Sequence, residues 1–118
     1  METIVYGYKN CGTCRKAWRW LDEQGVSYQR VEITTDPPDR ATLEAAWHTS
    51  GLPLKRFFNT AGRSYRSGGW SQRIKDGATE ADQLDALAAD PMLIKRPLLI
   101  GDGVVVVGFK PEAYRSLK

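Results

Sequence analysis

The sequence has little of what would hold it in a membrane or bind a structural metal. No apolar run approaches the roughly 18 residues of a membrane span, and the N-terminus lacks the basic start and long apolar stretch of a secretory signal. Two cysteines and a single histidine, His48, are too few for the ligand set of a structural zinc site. We therefore expect a cytoplasmic protein with no membrane contact, no bound metal and no bound cofactor.

The sequence also lacks a large excess of either positive or negative charge. The 17 basic and 14 acidic side chains give a formal net charge of +3, and they are spread along the chain without a long block of like charge. This balance is typical of a solvated surface, so we expect no direct nucleic-acid binding. A length of 118 residues with 42% hydrophobic content suffices for one core. We therefore expect a single domain over residues 1–118.

The first third of the chain has the pattern of a βαβ unit. Residues 3–7 are β-branched and aromatic and end in a glycine, which predicts a strand. Over residues 12–24, apolar side chains recur at spacings of three and four, which predicts a helix. Residues 27–33 alternate apolar and polar and predict a second strand, parallel to the first across a right-handed crossover. The predicted buried stripe of the helix consists of Cys14, Ala17, Trp18 and Leu21.

The rest of the chain predicts helices followed by a hairpin. The helical elements are a helix from near Arg40 capped by Asp39, a short helical segment at 52–58, an irregular or partly helical stretch at 59–77, and a helix capped by Thr79 that ends before Pro91. Strands at 98–100 and 104–107 flank a glycine-rich turn, and a last helix follows from Pro111 to Leu117. The order βαβ, helices, ββα predicts an α/β fold.

Cys11 lies just before the first turn of the predicted helix, where a thiolate is stabilised. The first N–H groups of a helix have no intrahelical partner, and the helix dipole is positive at this end. Gly12 and Thr13 supply unobstructed amides, and two basic residues, Arg15 and Lys16, follow within one turn. These features favour a nucleophilic Cys11, and the same amides can cradle an oxyanion.

Cys14 follows Cys11 by one helical turn. On the same side of the helix, its sulfur can reach back and resolve a mixed disulfide on Cys11. Cys14 also occupies the buried stripe, and a buried cysteine is often only a small hydrophobic residue. Both interpretations of Cys14 are open from the sequence.

A second candidate for the site is Arg96, which precedes Pro97 at the start of a predicted strand. If both halves of the chain share one sheet, this strand begins beside the N-terminus of the first helix, where a cis proline commonly faces a CxxC turn. Arg96 would then project towards Cys11 with a guanidinium suited to a bidentate oxyanion. The alternative is an ordinary surface arginine before a trans proline.

Three runs of sequence together resemble the arsenate reductase (ArsC)/Spx family, in its short CxxC form. They are the stretch from Tyr6 to Ala17 around Cys11-Gly12-Thr13-Cys14, the stretch from Lys95 to Ile100, and the stretch from Val107 to Glu112. The resemblance covers essentially the whole chain. It implies a thioredoxin-like fold, βαβ…ββα, with a helical insertion over about residues 39–90.

The resemblance also implies roles for individual residues. Cys11 matches the nucleophile of the family, and Arg96 matches the oxyanion-binding arginine before a cis proline. At the position of Cys14, glutaredoxin-linked arsenate reductases usually have a serine, whereas the CxxC form resembles the Spx branch. We take Cys11, Cys14 and Arg96 as the candidate catalytic residues. At the positions of two further anion-binding arginines the chain has Asn59 and Lys110. The substrate-binding residues implied in this way are Asn10, Gly12, Thr13, Asn59, Pro97 and Lys110.

Two functions follow from the resemblance. The first is a thiol-dependent reductase in which Cys11 attacks a small oxyanion or disulfide and Cys14 or an external thiol resolves the intermediate. Glutathione with glutaredoxin, or thioredoxin as a redox partner protein, is then the possible electron donor. The second is a redox-sensing regulator similar to Spx, whose members have the CxxC motif and bind the RNA polymerase α subunit.

Overall fold

The computed structural model describes residues 2–117, and its first elements form the predicted βαβ unit. Strand β1 spans Ile4–Gly7, helix α1 spans Gly12–Glu23 and strand β2 spans Gln29–Glu32. β1 and β2 pair in parallel, with Ile4 opposite Gln29 and Gly7 opposite Glu32. Both strands are shorter than predicted, although backbone hydrogen bonds continue beyond them: the Gln29 amide donates to the Thr3 carbonyl and the Ile33 amide to the Gly7 carbonyl, each at 2.8 Å.

The middle of the chain is helical. Its elements are α2 (Arg40–Ser50), a 3₁₀ helix (Leu54–Phe57), α3 (Arg63–Ser67), α4 (Trp70–Lys75), α5 (Glu80–Ala89) and a second 3₁₀ helix (Pro91–Leu93). The predicted caps are confirmed: Asp39 accepts from the Thr42 amide at 2.8 Å, and Thr79 accepts from the Asp82 amide at 3.0 Å. The stretch 59–77, predicted as irregular or partly helical, contains the two short helices α3 and α4.

The chain returns to the sheet with the predicted hairpin. Strands β3 (Leu98–Ile100) and β4 (Val105–Val107) pair antiparallel, and β3 also pairs antiparallel with β1. The four strands therefore lie in the order β2-β1-β3-β4. A short helix α6 (Pro111–Tyr114) and a 3₁₀ turn (Arg115–Leu117) follow.

The two faces of the sheet carry separate parts of the core. Along β1 and β3 the side chains alternate between faces, so that Leu98 packs towards the middle helices and Leu99 towards α1 and α6. The cluster on the α1 side consists of Val5, Cys14, Ala17, Trp18, Leu21, Leu99, Val106 and Tyr114. The predicted buried stripe of α1 is thus confirmed, including Cys14.

Backbone hydrogen bonds join the first 3₁₀ helix to the segment that leads into β3. The Lys95 amide donates to the Phe57 carbonyl and the Asn59 amide donates to the Leu93 carbonyl, each at 2.8 Å, around a bridge between Phe58 and Ile94. This contact, which we name the 57–95 junction, holds the helical middle of the chain against the start of β3. Within residues 2–117, no helix has the length and apolar character needed to cross a membrane.

Candidate functional site

The loop between β1 and α1 presents Cys11 as the N-cap of α1. The Cys11 amide donates to the Tyr8 carbonyl at 2.9 Å, which closes the loop, and the Cys11 carbonyl accepts from the Arg15 amide at 3.1 Å. The Cys14 amide donates to Cys11 Sγ at 3.4 Å, so the sulfur occupies the position of a capping oxygen. Cys11 is partly exposed.

Cys14 lies directly behind Cys11 and is fully buried. Burial raises the pKa of the Cys14 thiol to about 12, and a side-chain hydrogen bond with Cys11 contributes in the same direction. Both effects favour the protonated form of the Cys14 thiol. Both thiols are free. Cys14 is thus a core residue that also contacts the partly exposed thiol, and its role as resolving thiol stays a prediction.

Tyr114 closes the buried side of the thiol pair. It has no exposed surface, and its hydroxyl donates to the Gly108 carbonyl at 3.4 Å. Burial raises the pKa of Tyr114, and the nearby Cys14 thiol raises it further. Phe109 and Trp20 pack edge-on against the Tyr114 ring, with centroids 5.3 Å and 5.9 Å away. This apolar surrounding keeps water from the Cys14 side of the pair.

The peptide bond between Arg96 and Pro97 is cis, as predicted. Pro97 is buried at the start of β3, where its carbonyl accepts from the Gly108 amide at 2.8 Å. β3 neighbours β1, and the loop that carries Cys11 follows β1. The cis bond thus immediately precedes β3, the strand next to the one that leads to the thiol pair.

The Arg96 side chain is half-buried and close to the thiols. The positive charge of Arg96 lowers the pKa of Cys14, but the opposing effect of burial is larger. The Arg96 guanidinium also lies 5.6 Å from the centre of the Tyr8 ring. Nη1 donates to the carbonyls of Met92 at 3.2 Å and Ile94 at 3.4 Å. Nε is buried and has no hydrogen-bond partner within residues 2–117. Arg96 is therefore anchored to the backbone through Nη1, and its Nε is enclosed by the protein.

A cleft of about 350 Å³, which we name the basic groove, runs from the start of α1 past Arg96. The residues that line it are Thr13, Arg56, Lys95, Arg96, Val107, Gly108, Phe109 and Lys110. Three of the predicted site residues, Thr13, Arg96 and Lys110, are thus brought together. Asn59 lines an adjacent cleft of about 320 Å³, which it shares with Arg96.

The other predicted site residues lie on the loop itself. Asn10 is exposed, and its Nδ2 donates to the Tyr8 hydroxyl at 3.1 Å. Gly12 is also exposed, and a Cβ built on it would meet only Arg15 Nη2, at 4.0 Å. Arg15 Nη1 donates to the Lys9 carbonyl at 2.7 Å, so this guanidinium is directed back over the loop.

Sequence reasoning did not identify Tyr8, Arg56 or Lys95. Arg56 and Lys95 belong to short basic runs of an ordinary surface pattern, and they meet only through the 57–95 junction. Tyr8 immediately precedes the motif, but its ring contact with Arg96 is non-local. In residues 2–117, no group of three or more His, Cys, Asp or Glu side chains is placed to hold a metal ion.

Comparison with known proteins identifies the family. The model of the ArsC family matches residues 6–117. The chain belongs to the ArsC family. A crystal structure of an ArsC family related protein from Bacteroides fragilis superimposes with a TM-score of 0.95 at 41% identity, over 100% of this chain and 98% of that one. The predicted thioredoxin-like α/β fold is thereby confirmed.

Relatives of this ArsC-family chain differ in what their names describe. Uncharacterized protein YusI of Bacillus subtilis is 43% identical over 98% of both chains. An arsenate reductase of Rhizobium meliloti is 28% identical over 85% of this chain and 69% of its own. The global transcriptional regulator Spx of Lactiplantibacillus plantarum is 21% identical over 95% of this chain and 83% of its own. The family thus includes both enzymes and regulators.

Proposed function

We propose that this ArsC-family chain is a thiol-dependent reductase of the reducing cytoplasm, with Cys11 as nucleophile and Cys14 as resolving thiol. The observation that carries the proposal is the pairing of the thiols at the start of α1. Cys11 Sγ accepts a hydrogen bond from the Cys14 amide at 3.4 Å, and the buried Cys14 thiol lies beside it. A cysteine at a helix N-terminus, where unpaired amides and the helix dipole meet an incoming group, is well placed to act as nucleophile.

For a disulfide substrate the reaction has two exchange steps. Cys11 Sγ forms a bond with one substrate sulfur and breaks the substrate S–S bond, and the other sulfur leaves as a thiolate that takes a proton from water. Cys14 loses its proton and attacks Cys11 Sγ. This attack breaks the bond between Cys11 and the substrate sulfur, which leaves as a thiolate and takes up a proton, and it forms a Cys11–Cys14 disulfide. The substrate has gained two electrons and the protein has lost two. Thioredoxin, or glutathione with glutaredoxin, returns them.

For an arsenate-like oxyanion the first step differs. Cys11 displaces water from the pentavalent centre, and attack of Cys14 or an external thiol on Cys11 Sγ then releases the trivalent product with its electron pair. Arg96 supports this route through its positive charge, although its Nη1 already donates to the Met92 and Ile94 carbonyls. Asn59 supplies no charge and Lys110 supplies charge without the planar fork. These two residues favour a disulfide over an oxyanion as the substrate.

A turnover assay tests the proposal. Arsenate and bis(2-hydroxyethyl) disulfide are each supplied with glutathione and glutaredoxin, or with thioredoxin and its reductase. We expect turnover of the disulfide that is abolished in Cys11→Ser, with circular dichroism and thermal melting as controls for folding. Full activity of a folded Cys11→Ser variant, or no turnover of either substrate with either donor, would contradict the proposal.

The alternative is a redox-sensing regulator that binds the RNA polymerase α subunit. It is favoured by the Spx relative, whose name describes a global transcriptional regulator, and by the contact between the thiols. Oxidation would move a sulfur at the partly exposed start of α1 and change the surface there. Capture of purified α subunit by the reduced chain but not by the oxidised chain, together with absent turnover, would support this alternative.

A further inference from the structure

We propose that the basic groove selects organic disulfides carrying a negatively charged group, and that Arg56 and Lys95 are the residues that recognise this group. The inference rests on the proposed reductase function and names the substrate class of the same site. It concerns side chains that lie beyond the thiol pair and Arg96.

The charge of the groove is of one sign. Its lining includes four cationic side chains, Arg56, Lys95, Arg96 and Lys110, and among residues 2–117 no carboxylate contributes to the lining. Arg56 and Lys95 are exposed, and neither forms an ion pair with a described carboxylate. A cleft lined by one sign of charge raises the local concentration of the opposite charge. The groove therefore favours anions close to Cys11.

The position of Arg56 and Lys95 follows from the 57–95 junction. The Lys95 amide donates to the Phe57 carbonyl at 2.8 Å. This hydrogen bond brings Arg56, the residue before Phe57, close to Lys95. Thr13, in the first turn of α1, lines the same groove two residues after Cys11. The groove therefore borders the first turn of α1, and under this proposal a substrate whose sulfur reaches Cys11 extends into it.

The size and lining of the groove favour an organic group over a bare oxyanion. Liquid water occupies about 30 Å³ per molecule, so a cleft of about 350 Å³ corresponds to roughly twelve waters, more than a tetrahedral oxyanion displaces. Val107 and Phe109 add apolar surface between the cations. A short carbon chain that begins at the sulfur and ends in a carboxylate would place its methylenes on this surface and its charge among the cations.

Three small disulfides of similar length test the charge preference. They are 3,3′-dithiodipropionate, bis(2-hydroxyethyl) disulfide and cystamine, which carry negative, no and positive charge on each half. At low ionic strength we expect kcat/KM to fall in that order, with at least about tenfold between the anionic and cationic substrates. Added salt should reduce this ratio, because the groove is open to solvent.

A pair of double variants assigns the preference to the groove. Arg56→Gln/Lys95→Gln should lower the ratio of anionic to cationic kcat/KM at least about threefold. The matched control Arg73→Gln/Lys75→Gln removes the same charge from α4, outside the groove, and should leave the ratio unchanged. Equal kcat/KM for the three disulfides in the wild type would overturn the inference while leaving the reductase function intact. The same holds if the ratio of anionic to cationic kcat/KM is equal in the two double variants.

A stoichiometric measurement covers the case in which no disulfide is turned over. The rates at which iodoacetate and iodoacetamide modify Cys11 of the reduced protein, read by peptide mass spectrometry, compare an anion with a neutral reagent without any catalytic cycle. We expect the rate ratio of iodoacetate to iodoacetamide to fall in Arg56→Gln/Lys95→Gln and to remain at the wild-type value in the control. An unchanged ratio in both would overturn the inference.

Discussion

Replacing Gly7 by alanine tests the packing that positions α1 behind the thiol loop. A Cβ on Gly7 would lie 2.4 Å from Trp18 Cζ2, 3.0 Å from Cη2 and 3.1 Å from Cε2. Carbon atoms pack at about 3.5–4.0 Å, so the indole must move by roughly 1 Å. Trp18 is 4% exposed and has the Arg30 guanidinium 4.3 Å from a ring centre, so both its edge and its face are occupied.

The expected loss follows from two opposing contributions. Overpacking of a core costs about 1–3 kcal/mol, and replacing glycine by alanine recovers about 0.5–1 kcal/mol of conformational entropy. We therefore expect the free energy of unfolding to fall by roughly 1–2 kcal/mol, measured by urea denaturation. Gly12→Ala is the matched control, because a Cβ there meets only Arg15 Nη2 at 4.0 Å and alanine favours a helix. Wild-type stability of Gly7→Ala, or equal loss in both variants, would refute the reasoning.

Three further predictions concern the site. Arg96→Ala should lower kcat/KM by roughly one to two decades, the equivalent of about 1.5–3 kcal/mol for a charge-assisted hydrogen bond, and Arg96→Lys should recover only part of it; wild-type activity of a folded Arg96→Ala variant would remove Arg96 from the site. Mild oxidation should convert Cys11 and Cys14 to an intramolecular disulfide, whereas mass spectrometry showing two free thiols would make Cys14 a packing residue alone. After Cys11 is labelled with 5,5′-dithiobis(2-nitrobenzoate), attack by Cys14 should accelerate about tenfold per pH unit from pH 7 to 9, because burial raises the pKa of Cys14 to about 12. Stopped-flow release of the second thionitrobenzoate measures this rate, and a flat profile would contradict it.

The elements with local signals were predictable from the sequence. The apolar spacing in α1 fixes which side chains face the sheet, and Cys14 is indeed buried with Ala17 and Leu21. Asp39 and Thr79 cap their helices through side-chain oxygens, which is a local interaction that short polar residues signal directly. These features depend on neighbours within about one helical turn, so the sequence contains the information that determines them.

The stretch 59–77 was harder to predict because its order comes from distant contacts. Helices α3 and α4 are only five and six residues long, so their own hydrogen bonds contribute little stability. Instead Tyr65 and Trp70 pack on Phe58, with ring centroids 6.0 Å and 5.3 Å apart. No local periodicity reports such contacts.

The candidate site shows the same division. Cys11 and Cys14 are adjacent in a motif, and Arg96 precedes a proline at the start of a strand, so all three have a local signature. Arg56 and Lys95 are 39 positions apart along the chain, and their proximity depends on tertiary backbone pairing. From the sequence alone, Arg56 and Lys95 are therefore interpreted as two unrelated surface cations.

The 57–95 junction also bears on how relatives of this chain can diverge. Its hydrogen bonds join main-chain groups, so they persist whatever side chains are attached to Arg56 and Lys95. Both side chains are exposed and can change without opening a cavity in the core. Ligand preference in this architecture is therefore separable from foldability, and a lineage can alter the charge beside the reactive sulfur while the thiol pair and the sheet remain as they are.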